Sequence, residues 1–169
     1  ATSSRRWCAV AEDERALIAL GANLGDPVVT LRAAARRLAS LGADLERSRL
    51  YRTDPVGGPP GQPDYLNAVV AFTPAPAWRD PLRLLEELHA IERAFGRHRR
   101  VRWEARLLDL DLIALGARVV DGPELVLPHP RALQRPFVLI PLLDVAPDWR
   151  DPRSGRRAAD ALAELDARG

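Results

Sequence analysis

Two aspartates, Asp109 and Asp111, stand two residues apart in the apolar segment LLDLDLIAL (107–115). On a strand, residues two apart point to the same face, so this spacing predicts that the carboxylates converge while the alternating leucines enter the core. Two like charges side by side repel each other, and a divalent cation between them relieves the repulsion. Such a pair can also lie on a solvated strand face with no metal. The residues around the pair decide between a metal site and a solvated face.

Those neighbours are arginines: the segment just upstream holds Arg97, Arg99, Arg100, Arg102 and Arg106. Carboxylates that bind Mg²⁺ beside a cluster of guanidiniums are typical of a polyphosphate site. Phosphoryl and pyrophosphoryl transfer requires of the protein mainly positioning and neutralisation of charge. No G-x-x-x-x-G-K-[ST] loop occurs, which excludes a Walker-type nucleotide site, and GANLG (21–25) is only weak support for a dinucleotide site. The pattern therefore predicts a magnesium-dependent phosphate-transfer site.

The elements that carry these residues alternate between strands and helices. Apolar segments predict strands at 16–21, 44–52, 65–72 and 107–115. Asp-Pro pairs predict helix starts at Pro27 and Pro81, and helical spacing of leucines continues to about residues 41 and 95.

The rest of the chain is punctuated by proline and glycine. Residues 54–63 are predicted as a long loop, Gly116–Arg118 as the turn of a hairpin into Val119 and Val120, and 137–143 and 157–167 as helices. The order β-α-β-β-α-β predicts an α+β, ferredoxin-like fold, with an antiparallel sheet, helices on one face and a C-terminal helical extension. We expect one domain over 1–169.

Composition excludes several classes of protein. Hydrophobic residues make up 47% and charged residues 28%, which is ordinary for a soluble globular protein. No apolar run approaches the roughly 18 residues of a membrane span, and the opening ATSSRRWCAV lacks the apolar stretch of a signal peptide. The single cysteine, Cys8, excludes an internal disulfide framework. We therefore expect a cytoplasmic protein.

The segment RWEARLLDLDLI (102–113) resembles the signature of 6-hydroxymethyl-7,8-dihydropterin pyrophosphokinase. Four further segments match that family in order: ALGANLGDP (19–27), YRTDPVG (51–57), QPDYLNAVV (62–70) and LPHPRALQRPFVLIPLLDVAP (127–147). The resemblance spans about residues 16–148. One departure is Glu104, which occupies a position that the family usually fills with Gly or Ala.

The resemblance implies transfer of pyrophosphate from ATP to the pterin hydroxymethyl group, with AMP as the other product and two Mg²⁺ ions bound by Asp109 and Asp111. The catalytic residues that it implies are Arg97, Arg106, Asp109 and Asp111. The implied pterin-binding residues are Thr53, Asp54, Val56, Tyr65, Asn67, Trp103 and Phe137. The implied ATP-binding residues are Glu92, Arg99, Arg102, Trp103, Arg106, His129 and Arg135.

Two other functions stay open: a basic ferredoxin-like module that binds nucleic acid, and an inactive family relative that serves as a scaffold. Against the first, the strands carry no RNP-like aromatic pattern, and paired aspartates repel phosphate unless a metal is bound. Against the second, the aspartate pair is intact, although Glu104 keeps this alternative open. The expected partners are ATP and the pterin, with no nucleic acid and no membrane, and the expected state is a monomer.

Overall fold

The computed structural model of the protein describes residues 14–55, 60–96 and 107–169. Its strands are β1 (Ala16–Ala22), β2 (Gly42–Arg47), β3 (Tyr51–Thr53), β4 (Tyr65–Pro74), β5 (Asp109–Leu115), β6 (Val120–Asp121) and β7 (Val126–Leu127). Its α-helices are α1 (Pro27–Ala39), α2 (Pro81–Ala94), α3 (Pro136–Val145) and α4 (Ala158–Ala167). Among these residues, no helix is both long and apolar enough to cross a membrane.

The main sheet has the strand order β2-β4-β1-β5, and β3 also pairs with β4. Every pairing in it is antiparallel. This order places the first and last long strands side by side, as the ferredoxin-like arrangement requires, so the predicted fold is confirmed.

The two Asp-Pro helix starts form as predicted. The Asp26 carboxylate accepts a hydrogen bond from the Val29 N–H (3.3 Å), and Asp80 accepts from the N–H groups of Leu82 and Arg83. These side chains satisfy backbone donors that the first helical turn leaves without partners, while proline at the first position has no N–H donor to satisfy.

Helices cover both faces of the sheet, whereas the sequence predicted helices on one face. Apolar side chains of β1, β4 and β5 pack against α1 and α2 on one face, and the alternate residues Leu17, Val69, Ala71 and Ile113 pack against α3 and α4 on the other. The physical reason is that these strands are apolar at successive positions, so each face needs a cover. The C-terminal helices supply the second cover.

Two strand predictions need correction. The predicted strand 44–52 is two strands separated at Ser48. The Ser48 N–H donates to the Val69 carbonyl of β4, and the Ser48 hydroxyl, in place of a backbone carbonyl, accepts from the Val69 N–H (2.9 Å each). The predicted hairpin from Leu115 to Val120 does not form. Val120 pairs with Leu127 instead, and the Ile113 carbonyl of β5 accepts the His129 N–H (2.8 Å).

Candidate active site

A cavity of about 230 Å³ opens on the α3 face of the main sheet. It lies beyond the end of the apolar packing between the sheet and α3. Its wall combines residues of β1, β3, β4, β5 and the start of α3: Ala19, Leu20, Gly21, Thr53, Asp54, Tyr65, Asn67, Asp109, Asp111, Arg135, Phe137 and Val138.

Asp109 and Asp111 form the β5 wall of this cavity. Both are partly exposed, while Leu108, Leu110 and Leu112 are buried on the opposite face. The prediction that the carboxylates share a face and the leucines enter the core is therefore confirmed.

Small residues of β1 lie beside the aspartates. Gly21 pairs with Asp109, and Ala19 pairs with Asp111. Directly opposed residues on antiparallel strands project to the same face, so these small residues leave open space next to the carboxylates.

A row across three strands forms the floor of the cavity. Gly21 pairs with Asn67 on β4 and with Asp109 on β5. Two strand spacings separate the outer members of the row by about 10 Å. A Cβ atom at Gly21 would lie 3.4 Å from Asn67 Oδ1, so the floor is clear because this residue has no side chain.

The Asn67 carboxamide is held in one orientation. Its side chain is buried, with 7% of the residue exposed. Its Nδ2 donates a 2.6 Å hydrogen bond to Thr53 Oγ1 on β3. With this donation fixed, the carboxamide presents a defined pattern of one acceptor and one remaining donor hydrogen.

The first turn of α3 closes the cavity from above. Arg135 occupies the N-cap position of the helix without a side-chain capping hydrogen bond, and Phe137 lies in the first turn. The Arg135 guanidinium lies 5.6 Å from the centre of the Phe137 ring. Tyr65 of β4 lines the same cavity. Two aromatic rings and a guanidinium thus share a space with an oriented amide and two carboxylates.

Two predicted ATP-binding residues do not line this cavity. Glu92 is 1% exposed, and its Oε2 accepts from the Leu110 N–H (3.3 Å), which ties α2 to β5 on the other face of the sheet. His129 follows β7, and its Nδ1 accepts from the Arg131 N–H (3.2 Å). Burial holds the pKa of His129 below its ordinary value, while the nearby Asp111 carboxylate acts in the opposite direction.

The comparison with known proteins identifies the family. A family model described as 7,8-dihydro-6-hydroxymethylpterin-pyrophosphokinase (HPPK) matches residues 17–147. The chain belongs to the HPPK family.

Relatives in this family include bacterial enzymes named 2-amino-4-hydroxy-6-hydroxymethyldihydropteridine pyrophosphokinase. The one from Synechocystis is 41% identical over 152 residues, which cover 89% of this chain and 76% of the relative. The one from Pseudomonas aeruginosa is also 41% identical over 152 residues, covering 89% of this chain and 91% of the relative.

Among solved structures, wild-type HPPK-DHPS of Plasmodium falciparum matches with a TM-score of 0.71 at 15% identity. The match covers 92% of this chain and 43% of the Plasmodium chain, so this chain spans less than half of that one. At this identity the likeness supports the HPPK fold alone.

The residues predicted from the HPPK resemblance fall into three groups. The cavity brings together Thr53, Asp54, Tyr65, Asn67, Asp109, Asp111, Arg135 and Phe137. Glu92 and His129 are described but do not line it. The third group lies outside the described residues and stays a prediction: Val56, Arg97, Arg99, Arg102, Trp103 and Arg106.

Sequence reasoning missed the contribution of β1 and Val138 to the HPPK cavity. Gly21 belongs to GANLG, a weak dinucleotide signal, and to ALGANLGDP (19–27), a segment of the family resemblance, but neither interpretation gives this glycine a role in the site. The signal that finds Gly21 and Ala19 is their register opposite Asp109 and Asp111, which requires knowing that β1 and β5 are neighbours.

Within the described part of the chain, no cluster of three or more His, Cys, Asp or Glu side chains could hold a metal ion. The pair Asp109 and Asp111 nevertheless fits Mg²⁺, because this ion takes oxygen ligands and usually binds through one or two carboxylates together with waters and substrate phosphates. A magnesium ion in this HPPK cavity would therefore take its remaining ligands from waters and a bound polyphosphate.

Proposed function

We propose that this chain transfers a pyrophosphoryl group from ATP to the hydroxymethyl group of 6-hydroxymethyl-7,8-dihydropterin, giving AMP and the pterin pyrophosphate, a step of folate biosynthesis. Membership of the HPPK family and the names of its bacterial relatives support this activity. The single observation that carries it is that one cavity joins an oriented amide and two aromatic rings to a pair of carboxylates.

The amide end of the cavity suits the pterin. A flat heterocycle can lie between the Tyr65 and Phe137 rings, since aromatic faces bind planar rings well. The Asn67 carboxamide offers both an acceptor and a donor to the ring edge, in the orientation that Thr53 sets. Gly21 leaves the floor beneath this amide free of a side chain.

The carboxylate end suits the polyphosphate of ATP with magnesium. Asp109 and Asp111 would hold the metal, and we propose two ions, as the family resemblance implies. Bound there, magnesium would supply neutralisation of phosphate charge and activation of the attacking oxygen. Arg135, which lines the same cavity from the start of α3, adds a permanent positive charge.

The roughly 10 Å between Asn67 and Asp109, on the two outer strands of the row, fixes how the pterin is oriented in the cavity. With the pterin ring at the amide end, its hydroxymethyl group points toward the carboxylates, where the phosphates would lie. Attack of the hydroxyl oxygen on the β-phosphorus breaks the bond to the α-phosphate oxygen, and AMP leaves. The chain contributes in-line positioning and charge stabilisation.

The remaining proposed residues complete the site by resemblance. Arg97 and Arg106 would stabilise charge on the transferring group, and Arg99, Arg102 and His129 would bind the nucleotide. Glu92, which is buried on the other face of the sheet, would act by holding β5 through the Leu110 N–H and not by contact with ATP. Val56 and Trp103 would contact the pterin. We propose that the chain acts as a monomeric single domain in the cytoplasm, with ATP and the pterin as its partners.

Product analysis tests this function. The purified protein is incubated with ATP, Mg²⁺ and the pterin, and nucleotides are separated by chromatography. We expect AMP in equal amount to pterin pyrophosphate identified by mass spectrometry. Formation of ADP with a pterin monophosphate would contradict the proposal, as would tight binding of nucleic acid with no turnover of ATP.

A further inference from the structure

Asp144 lies at the end of α3 that is far from the cavity. It contacts the connector between β2 and β3 (residues 48–50) and the first residue of β3, Tyr51. Its carboxylate accepts hydrogen bonds from the Arg49 backbone N–H (3.0 Å) and from the Arg49 guanidinium (2.9 and 3.2 Å). The Tyr51 hydroxyl donates a fourth (2.8 Å). The Arg49 guanidinium in turn lies 5.6 Å from the centre of the Tyr51 ring. One carboxylate therefore fastens one short segment to the helix.

Local helix chemistry does not favour an aspartate at this position. Asp144 is the next-to-last residue of α3, and a carboxylate near a helix C-terminus lies against the negative end of the helix dipole. The partners from the connector compensate: chiefly the hydrogen bonds from Arg49 hold the pKa of Asp144 at about 2, below its ordinary 3.8. The Asp144 carboxylate therefore stabilises the contact between α3 and the connector, not the helix itself.

The two joined elements are the two sides of the cavity. From Tyr51, β3 continues for two residues, about 7 Å, to Thr53 on the cavity wall. From Asp144, α3 runs back seven residues, about 10 Å, to Phe137 on the facing wall. The contacts of Asp144 thus lie where the two walls come together, and the cavity opens beyond them.

We propose that Asp144 is a positioning residue, which with Arg49 and Tyr51 fixes the separation of β3 from α3 and hence the width of the cavity between Thr53 and Phe137. The proposal rests on the proposed function in one respect, that the cavity takes the pterin. β3 is only three residues long and pairs with β4, so a second anchor has a large effect on its position. Asp109 and Asp111 lie on β5, which β1 holds in place.

The consequence is selective. Without the Asp144 contacts β3, with Thr53, shifts away from α3. The carboxylate wall stays in place, and so does Arg135 at the start of α3, because Val138, Leu139 and Leu142 of this helix remain packed on the sheet and on α4. Pterin recognition should therefore weaken and ATP recognition should not. A role in stability alone would lower the melting temperature and leave both Michaelis constants of the folded enzyme unchanged.

The test compares Asp144→Ala with Asp121→Ala. Asp121 is the matched control, because its carboxylate also takes two hydrogen bonds from one guanidinium, that of Arg153 (2.8 and 3.2 Å), and it does not line the cavity. For Asp144→Ala we expect the pterin KM to rise at least about fivefold, and kcat/KM for the pterin to fall toward the roughly 100-fold loss that misplacement on the order of 1 Å can cause. The ATP KM should stay at the wild-type value, and Asp121→Ala should change neither constant.

Two further variants keep the test decisive. Tyr51→Phe removes a single hydrogen bond and serves if Asp144→Ala does not fold; its pterin KM should rise by a smaller factor. Asp144→Glu keeps the carboxylate and should recover most of the lost affinity. Equal rises in both Michaelis constants, or a pterin KM for Asp144→Ala equal to that of Asp121→Ala, would overturn the positioning role.

A wild-type protein that forms no AMP would overturn the proposed function by itself. The positioning role is then judged by NMR of the Asn67 side-chain amide, which donates to Thr53 on β3. A shift of that resonance in Asp144→Ala but not in Asp121→Ala supports the role. No shift in either variant contradicts it.

Discussion

The hydrogen bond between Asn67 and Thr53 makes the strongest test of how the pterin end is built. Replacing Thr53 by Val keeps the shape of the side chain and its β-branched preference for a strand, and removes only the hydroxyl. The Asn67 Nδ2 then loses the acceptor that it contacts at 2.6 Å, in a residue that is 7% exposed. The carboxamide becomes free to turn, so its hydrogen-bonding pattern toward the cavity is no longer fixed.

The size of the effect follows from the burial. A buried donor that loses its acceptor costs about 1–3 kcal/mol, and a typical net hydrogen bond is worth about 1 kcal/mol. In the free protein part of this cost is recovered when the amide turns toward another acceptor or water, and pterin binding has to reverse that turn. We therefore expect pterin binding to weaken by about 1–2 kcal/mol, a factor of roughly 5–30 in Kd.

Isothermal titration calorimetry with the pterin, in the presence of Mg²⁺ and a non-hydrolysable ATP analogue, measures this change. Thr53→Ser is the matched control, because it keeps the hydroxyl and should bind the pterin nearly as well as the wild type. Affinity for the ATP analogue should be equal in all three proteins. The reasoning is refuted if Thr53→Val binds the pterin like the wild type, or if Thr53→Ser loses as much affinity as Thr53→Val.

Three further predictions concern the two carboxylates, the floor of the cavity and the distant Asp144. Asp109→Asn and Asp111→Asn should each reduce AMP formation on the order of 1,000-fold without lowering the melting temperature, because each removes a metal ligand and a like-charge repulsion; a tenfold loss or less would count against metal binding. Gly21→Val should weaken pterin binding by about 1–3 kcal/mol by overfilling the floor, with ATP binding unchanged in calorimetry. The pKa of Asp144 is depressed from 3.8 to about 2, so its contribution to stability is complete above pH 3.8 and is lost as the pH falls toward 2; the difference in melting temperature between wild type and Asp144→Asn should disappear over that range, and a constant difference would contradict the assignment.

The sequence predicted those features that depend on neighbours along the chain. The two-residue spacing of Asp109 and Asp111 was enough to place both carboxylates on one face, because strand geometry is local. The Asp-Pro pairs were enough to start α1 and α2, because an N-cap satisfies donors within the next three residues. These predictions are confirmed by the structure.

Features that depend on distant partners were not predictable in the same way. Arg49 and Asp144 are 95 residues apart, and local helix rules treat an aspartate in the last turn of α3 as unfavourable. There tertiary pairing overrides what the local sequence favours. Val120 is a different case: the sequence predicts that it pairs with β5, but it pairs with the nearby Leu127 across the turn in which the Gly122 N–H donates to the Leu125 carbonyl.

The location of the cavity follows from where the apolar pattern of the sheet stops. On the α3 face, the row Ala71, Leu17 and Ala114 and the neighbouring Val69 are apolar and covered by α3 and α4. Further along the same three strands and on the same face, the corresponding row is Asn67, Gly21 and Asp109, which presents an amide, a glycine and a carboxylate. By the alternation of the strands, these three positions should face the core. A polar side chain buried there destabilises the fold unless it has a hydrogen-bond partner, so such side chains are retained where a ligand or a fixed hydrogen bond satisfies them. The change occurs at the same level on three strands that are distant in sequence, and this shared level supports a binding site at that end of the sheet more strongly than any of the three residues does alone.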